Sequence, residues 1–229
     1  MCGRFAFYSP HEAIARLFGV GDPPLVEPRW NIAPTRFVAT VRAGRDAARE
    51  LAMLYWGLVP SWARERSIGQ RMNNARGETL AEKPSFRNAW RRRRCLVLAD
   101  GWYEWQRVGA AKQPYFFHFE DAGPFGMAGL WESWRDPESG EPLESCCIVT
   151  TAARGVAAPV HDRMPVIVPP DRYDAWLDPR QTETSGFDDL IADGDRPGLV
   201  ATAVDRRVND ARNEGPDLVR PLATPGGLA

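Results

Sequence analysis

The chain has 229 residues, a formal net charge of −1 and ordinary fractions of hydrophobic (44%) and charged (26%) residues. This length allows a sizeable buried core, and we expect a single domain over residues 1–229. The near-zero net charge excludes a generally basic nucleic-acid coat, so any anion must be bound by a local patch. Neither a signal peptide nor a run of about 18 apolar residues is visible. We therefore expect a cytoplasmic protein without a membrane partner.

Cysteine and histidine usage gives no sign of disulfides or metals. The four cysteines include an adjacent pair, Cys146 and Cys147, and form no Cys-x-x-Cys motif. Only three histidines are present, and His161 has no cysteine or carboxylate pair nearby. These patterns predict no disulfide framework, no metal site and no cofactor.

The pattern of apolar residues predicts a sheet protein with inserted helices. A strand is predicted over residues 1–8, then a helix with Ser9 as its N-cap that ends at Gly19. Because strands follow one another through short turns, we expect an α+β fold: a compact, mainly antiparallel, barrel-like β-sheet with flanking helices. Further strands are predicted at 37–42, 49–56, 95–99, 102–106, 115–119, 126–131, 146–151, 166–168 and 199–204, helices at 78–83, 86–90, 171–177 and 187–191, and an extended tail at 209–222.

Cys2 directly follows the initiator methionine. Methionine aminopeptidases remove Met before small side chains, so Cys2 would become an N-terminus with an amine and a thiol on adjacent carbons. Such a 1,2-aminothiol condenses with an aldehyde: the amine forms a Schiff base, and the thiol attacks the imine carbon to close a thiazolidine. An α-amine has a pKa of about 7.7–8.0, so much of it is a neutral nucleophile near neutral pH. The alternative is that Cys2 is only a packing residue.

Three further polar residues lie where the pattern allows a catalytic side chain. Asn74 lies in a tight Asn-Asn-Ala-Arg stretch, as either a functional amide or a turn former. Glu104 lies between Tyr103 and Trp105 in a predicted strand. If it is buried there, its pKa rises and it can act as a general acid or base; otherwise it faces water. His161 lies in a polar, proline-flanked turn that suits a proton shuttle.

Arginines lie close in sequence to three of these candidates. Arg4, Arg76 and Arg163 favour an anionic substrate such as a phosphodiester backbone. The alternative is a contribution to surface solubility, which we favour for the basic run Arg91–Arg94.

Two residues on predicted loops suit contacts with nucleobases. Pro34 and Trp62 could supply an apolar wedge and a stacking face for single-stranded DNA. Equally, both residues could belong to the core, so this alternative stays open.

Seven stretches carry a combined signal: Met1-Cys2-Gly3-Arg4-Phe5, Trp30-Asn31-Ile32-Ala33-Pro34, residues 56–62, residues 74–79, Ala99-Asp100-Gly101-Trp102-Tyr103-Glu104-Trp105, His161-Asp162-Arg163-Met164-Pro165 and residues 213–218. Together they resemble the SOS-response-associated peptidase family of abasic-site processing proteins. The resemblance covers nearly the whole chain in the family's order. One departure is Ala63, where some relatives have a second tryptophan, so we expect a smaller stacking surface.

The resemblance implies a barrel-like fold and a function in the DNA damage response. Such proteins bind single-stranded DNA, often at a junction, and crosslink to the ring-opened aldehyde of an abasic site, which shields the lesion. When the family's site residues are assigned to the matching positions, Cys2 is the nucleophile and Asn74 orients the N-terminal residue or the sugar. Glu104 and His161 then transfer protons. The residues implied to hold DNA are Arg4, Arg76 and Arg163 at phosphates, Pro34 and Trp62 at flanking bases, and Thr150 as a weaker candidate.

Two other functions stay open. The family's name implies a peptidase with a cysteine nucleophile, whose cleavage could be self-removal of Met1, and imine chemistry is also compatible with a lyase. The third function is a non-catalytic single-stranded DNA-binding module in which Cys2 is only a packing residue.

A chain that retains Met1 has an acylated Cys2 nitrogen and cannot form the imine. We expect a monomer, because a small covalent shield needs no symmetry.

Overall fold

The computed structural model describes residues 2–44, 46–109, 111–193 and 196–222. Short 3-10 turns connect the regular elements of these ranges. The helices are α1 (His11–Phe18), α2 (Arg87–Arg92), α3 (Tyr173–Leu177) and α4 (Asp188–Ala192). The strands are β1 (Phe5–Phe7), β2 (Arg29–Ile32), β3 (Phe37–Ala43), β4 (Arg49–Trp56), β5 (Asn74–Arg76), β6 (Arg94–Ala99), β7 (Gly101–Val108), β8 (Ala111–Phe119), β9 (Phe125–Arg135), β10 (Pro142–Ala152), β11 (Arg163–Pro165), β12 (Ile167–Val168) and β13 (Leu199–Ala203).

Five strands close on themselves into a mixed barrel. β4 pairs antiparallel with β3, β3 with β6, β6 with β9 and β9 with β10. β10 then pairs in parallel with β4, which completes the ring. β5 and β11 also pair with β10, and β12 pairs with β9. Closure removes the exposed edges of these strands. The predicted α+β fold with a barrel-like, mainly antiparallel sheet is confirmed.

A second sheet is antiparallel and has the strand order β13-β8-β7-β1-β2. The chain enters it from β6 through a turn at Asp100. The carboxylate of Asp100 accepts hydrogen bonds from the backbone N–H groups of Tyr8 (2.5 Å) and Ser9 (2.9 Å). β1 pairs with β2 on one side and with β7 on the other. The N-terminal strand that the sequence predicts is therefore held along both edges.

The buried core is continuous between the barrel and this second sheet. Phe5 of β1 lies edge-on to Trp56 of β4, with ring centroids 5.0 Å apart. Trp102 of β7 stacks on Phe117 of β8 at 4.9 Å. All four side chains are fully buried in one cluster. Fraying of β1 would expose aromatic surface to water, so burial fixes the chain next to Cys2.

Local structure differs from the sequence prediction in several places. Pro10 is the N-cap of α1, because the Ser9 hydroxyl donates to Asp100 instead. The predicted helix at 78–83 is reduced to the 3-10 turn Gly77–Thr79, since strand pairing holds the preceding residues extended and Pro84 follows. The tail at 209–222 contains the 3-10 turn Pro216–Val219. No helix in the described ranges is long and apolar enough to cross a membrane.

The expected surface role of the basic run Arg91–Arg94 is wrong for its last member. Arg94 is 2% exposed, and burial lowers its pKa to about 10. Its guanidinium satisfies carbonyl groups at the end of α2 and around the end of α3, which joins the two helices to β6. The acceptors are the carbonyl oxygens of Trp90, Arg91, Trp176, Asp178 and Gln181, at 2.6–3.0 Å.

We expect Arg94→Met to lower the free energy of unfolding by about 3–5 kcal/mol, because several buried carbonyls lose a charged donor. Urea unfolding measures the change. The matched control is Arg92→Met, an exposed position on α2, which we expect to change stability by less than about 0.5 kcal/mol. Equal effects of the two substitutions would contradict this account of Arg94.

Candidate active site

The candidate site lies where the N-terminal strand meets the barrel. Cys2, just before β1, is fully buried. Asn74, the first residue of β5, donates a hydrogen bond from its Nδ2 to the Cys2 carbonyl oxygen at 2.7 Å. Parallel pairing with Ile148 and Thr150 of β10 fixes β5 in place. Asn74 is thus a strand residue rather than a turn former, and it joins the barrel to the residue that carries the predicted chemistry.

The amide of Asn74 also keeps an acceptor available. Its Oδ1 is buried and has no hydrogen-bond partner among the described residues. A buried polar atom without a partner costs free energy, so such atoms are often satisfied by a ligand. The position of this oxygen beside Cys2 makes it suitable for a hydroxyl or an ammonium group that enters the site.

Glu104 brings a buried carboxyl group to the same place. It lies on β7, and the N–H of the preceding Tyr103 donates to the carbonyl of Arg4 on the neighbouring chain segment at 2.9 Å. The Glu104 residue is 4% exposed, so the alternative that it faces water is wrong. Burial raises the pKa of Glu104 to about 7. Near neutral pH this carboxyl group therefore both donates and accepts protons.

His161 completes the group. Its Nε2 lies 3.9 Å from Oε2 of Glu104. The backbone N–H of Arg163 donates to Nδ1 at 3.0 Å, so the neutral ring carries its proton on Nε2, toward Glu104. Asp162 also places a carboxylate 2.8 Å from Nδ1, but its side chain is 84% exposed and is free to turn to water. Burial lowers the pKa of His161, which favours the neutral ring.

Burial and the neighbouring carboxyl group also affect the thiol of Cys2. Burial, followed by the nearby Glu104 carboxylate, raises the pKa of Cys2 well above the ordinary thiol value. Cys2 is therefore a protonated thiol rather than a stored thiolate. Any reaction of its sulfur requires a base to take the proton, and Glu104 is the neighbouring group with a suitable pKa.

The raised pKa of Glu104 predicts a pH-dependent stability. The folded carboxyl group, with a pKa of about 7 against an ordinary value of 4.5, binds its proton more tightly than the unfolded one. It therefore favours folding at low pH, and this contribution is lost as the pH rises through 7. We expect the stability of Glu104→Gln relative to the parent protein to increase by about 2–3 kcal/mol from pH 5 to pH 8. Urea unfolding at both pH values checks this, and a difference that does not change with pH would contradict it.

Arg4 is fixed beside the site, and some of its N–H donors remain available for a ligand. Its Nη1 donates to Oδ1 of Asn31 at 2.7 Å and to the carbonyl of Val208 at 2.8 Å, and the guanidinium lies 5.9 Å from the centroid of the Trp105 ring. Its Nε is buried without a hydrogen-bond partner in the described part of the chain. Burial lowers the pKa of Arg4. An anion would satisfy the remaining donors. Trp105 was not selected from the sequence, although its aromatic motif was visible there.

The other two arginines differ in how they are engaged. Arg163 forms a two-pronged ion pair with Glu78, at 2.5 and 2.9 Å, and donates to the carbonyl of Thr150 at 2.6 Å. The side chain of Thr150 is buried. Glu78, which was not selected from the sequence, therefore occupies the fork of Arg163 that was predicted to hold a phosphate. Arg76 is exposed on β5 and enters no ion pair among the described residues.

The two predicted base contacts also differ in exposure. Trp62 is 58% exposed and lines a cavity of about 540 Å³, so it is not a core residue. Pro34 is half-buried in the turn after β2. Ala63 is buried, and its carbonyl accepts a hydrogen bond from Nε1 of Trp134 at 2.7 Å. Only Trp62 of these loop residues offers a large open aromatic face.

No group of three or more His, Cys, Asp or Glu side chains that could hold a metal ion occurs in residues 2–44, 46–109, 111–193 and 196–222. Cys95, Cys146 and Cys147 are free and buried.

Fold and site together define a small mixed-barrel protein in which an amide and a carboxyl group lie beside Cys2 and an imidazole lies beside that carboxyl group. The chain belongs to the SOS response associated peptidase (SRAP) family, whose sequence profile matches residues 1–211. This confirms the resemblance read from the motifs.

Individual relatives agree with this assignment. The chain is 38% identical over 224 residues to the "Abasic site processing protein YoqW" of Bacillus subtilis, across 96% of this chain and 99% of the relative. It is 31% identical over 233 residues to the "Abasic site processing protein YedK" of Escherichia coli, across 97% and 100%. A crystal structure of a protein from Bacteroides thetaiotaomicron has a TM-score of 0.85 at 25% identity, across 97% of this chain and all of the other.

Proposed function

We propose that this protein processes abasic sites in DNA by forming a covalent crosslink through the amine and thiol of Cys2. The observation that carries the proposal is the 2.7 Å hydrogen bond from Asn74 to the Cys2 carbonyl, beside a carboxyl group with a pKa of about 7. The names of the relatives, which cover nearly the whole chain, support abasic DNA as the substrate. Met1, whose removal the reaction requires, lies outside the described residues.

The reaction follows from the functional groups of an N-terminal cysteine. The ring-opened deoxyribose of an abasic site presents an aldehyde, and the amine adds to its carbon to form a carbinolamine. Loss of one water gives an imine. The thiol sulfur then bonds to the imine carbon while its proton is transferred to the nitrogen, which closes a thiazolidine. The net change is one new C–N bond, one new C–S bond and one released water.

Glu104 and His161 have the protonation states that these steps need. Dehydration of the carbinolamine needs an acid, and attack by the thiol needs a base. A carboxyl group with a pKa of about 7 performs both roles at neutral pH. Neutral His161, with its Nε2–H directed toward Glu104, relays protons between that carboxyl group and the sugar oxygen.

Asn74 and the arginines would position the substrate. Asn74 holds the Cys2 carbonyl, and its Oδ1, which has no partner among the described residues, would accept a hydrogen bond from a sugar hydroxyl. Arg4 and Arg76 would hold flanking phosphates of a single strand, and Arg163 would do so if a phosphate replaced Glu78. A missing base leaves the sugar carbon accessible and requires no unstacking, which would select abasic sites over intact nucleotides.

Replacement of Cys2 by Ser tests the mechanism. We expect the parent protein to give an adduct with an abasic single-stranded oligonucleotide that survives heat denaturation. Cys2→Ser keeps the amine and loses the thiol, so it should give an adduct only when borohydride is present to reduce the imine. Denaturing gel electrophoresis with and without borohydride separates these results.

The matched control is Cys95→Ala, which removes a buried thiol away from the N-terminus and should crosslink like the parent protein. Stable adducts from Cys2→Ser would contradict ring closure by sulfur. If neither parent nor variant gives an adduct, with or without borohydride, although both bind the oligonucleotide, the protein is a non-covalent binder. The raised pKa of the Cys2 thiol offers no support for a thiolate peptidase.

A further inference from the structure

We propose that Asn31 is a positioning residue that holds Arg4 in the orientation needed to bind a phosphate of the DNA. It does so together with residues 206–213, here called the C-terminal turn. Asn31 itself contacts no substrate in this account. The inference rests on the proposed function in one respect, because the phosphate belongs to the strand that carries the abasic site.

Asn31 is a buried amide whose two polar atoms are both engaged. It is the third residue of β2 and is 2% exposed. Its Oδ1 accepts a hydrogen bond from Nη1 of Arg4 at 2.7 Å. Its Nδ2 donates to the carbonyl oxygens of Asp210 at 3.0 Å and Asn213 at 2.9 Å, and lies 3.4 Å from that of Val208. One side chain therefore uses its acceptor on the arginine and its donors on the C-terminal turn.

The C-terminal turn makes a second contact with the same nitrogen of Arg4. The carbonyl oxygen of Val208 accepts a hydrogen bond from Nη1 at 2.8 Å. Both protons of Nη1 are thus used, and two fixed acceptors determine the plane of the guanidinium group. The other edge of this plane carries Nε–H and one N–H of Nη2, which point in the same direction and suit two oxygens of one phosphate. Nε has no hydrogen-bond partner among the described residues.

The groups that hold Arg4 are uncharged, so they orient it without neutralising it. An amide oxygen and a carbonyl oxygen accept its hydrogen bonds, and no carboxylate forms an ion pair with it in the part of the chain that the structure describes. The carboxylate of Asp210 is engaged by Arg212 at 2.7–3.1 Å. Arg163 differs, because Glu78 occupies both prongs of its fork. The charge of Arg4 therefore remains available for an anion.

The C-terminal turn is itself fixed and also holds the aromatic neighbour of Arg4. Nδ2 of Asn213 donates to the carbonyl of Arg207 at 2.7 Å, which closes the turn. Oδ1 of Asn209 accepts from Nε1 of Trp105 at 2.6 Å. The guanidinium of Arg4 lies 5.9 Å from the centroid of the Trp105 ring. Because these contacts already restrict Arg4, it has little rotamer freedom left to lose when a phosphate binds.

The test measures salt-dependent binding of a single-stranded oligonucleotide with a tetrahydrofuran abasic analogue, which has no aldehyde. We expect Arg4→Gln to reduce the slope of log K against log salt by about 0.7, the value for one phosphate contact of a single strand. Asn31→Ala should cause the same reduction although it removes no charge, because Arg4 is then no longer held. The double variant should show no further reduction.

The matched control is Val208→Ala, which removes a fully buried side chain from the C-terminal turn and keeps the carbonyl that contacts Arg4. We expect a lower melting temperature and an unchanged slope. An equal loss of slope in this control would mean that turn stability alone matters, and would overturn the proposal. An unchanged slope in Asn31→Ala or in Arg4→Gln would overturn it as well.

A second measurement uses the unaltered protein and does not depend on whether Asn31→Ala folds. In solution, the Nη protons of an arginine usually merge into one NMR signal through bond rotation and exchange with water. Two hydrogen bonds to Nη1 predict separate, slowly exchanging signals for Arg4. They are assigned by their absence from the spectrum of Arg4→Gln. A single merged signal for Arg4 would contradict the positioning role of Asn31.

Failure of this proposal is distinguishable from failure of the proposed function. The oligonucleotide of the binding test has no aldehyde, and the NMR measurement needs no DNA, so neither depends on crosslinking. If the parent protein does not crosslink a true abasic site, the proposed chemistry of Cys2 fails, whereas both measurements still report on Asn31. If it crosslinks but the slopes and signals show no effect of Asn31, only the positioning role is overturned.

Discussion

The hydrogen bond between the Asn74 side chain and the Cys2 carbonyl connects the two halves of the structure on which the site depends. β5 carries Asn74 and pairs with β10 of the barrel, whereas β1 follows Cys2 and belongs to the second sheet. A chain terminus ordinarily frays, because ordering each residue costs roughly 1–2 kcal/mol. Here burial of Phe5 against Trp56 offsets that cost. The result is that Cys2 is held in place, an arrangement that would suit catalysis by proximity.

Burial of the site has an electrostatic consequence that determines the kind of chemistry available. The thiol of Cys2 and the carboxyl of Glu104 both have raised pKa values, because each would be an anion in a poorly solvated place. Two neighbouring groups of this type titrate as a coupled pair. A stored thiolate is therefore disfavoured at Cys2.

The fold class and the side chains near Cys2 could be predicted from the sequence, because motifs and strand periodicity are local properties. The role of a side chain could not be predicted from the sequence where it depends on a partner far along the chain. Arg94 looked like the end of a surface charge run, yet carbonyls from α3 surround it. Arg163 looked like a free phosphate ligand, yet Glu78 occupies its fork. Serine is common at N-caps, but the Ser9 hydroxyl donates a hydrogen bond to Asp100 instead.

Intact mass after mixing with a single-stranded oligonucleotide that contains one abasic site tests the central claim most directly. A thiazolidine predicts an adduct equal to the protein without Met1 plus the DNA minus one water. Because the ring contains no C=N bond, its mass should not change when borohydride is added. An adduct that gains hydrogen on reduction would mean that the reaction stops at the imine. If protein whose N-terminus is confirmed as Cys2 forms no adduct, the proposal that it crosslinks abasic DNA would be contradicted.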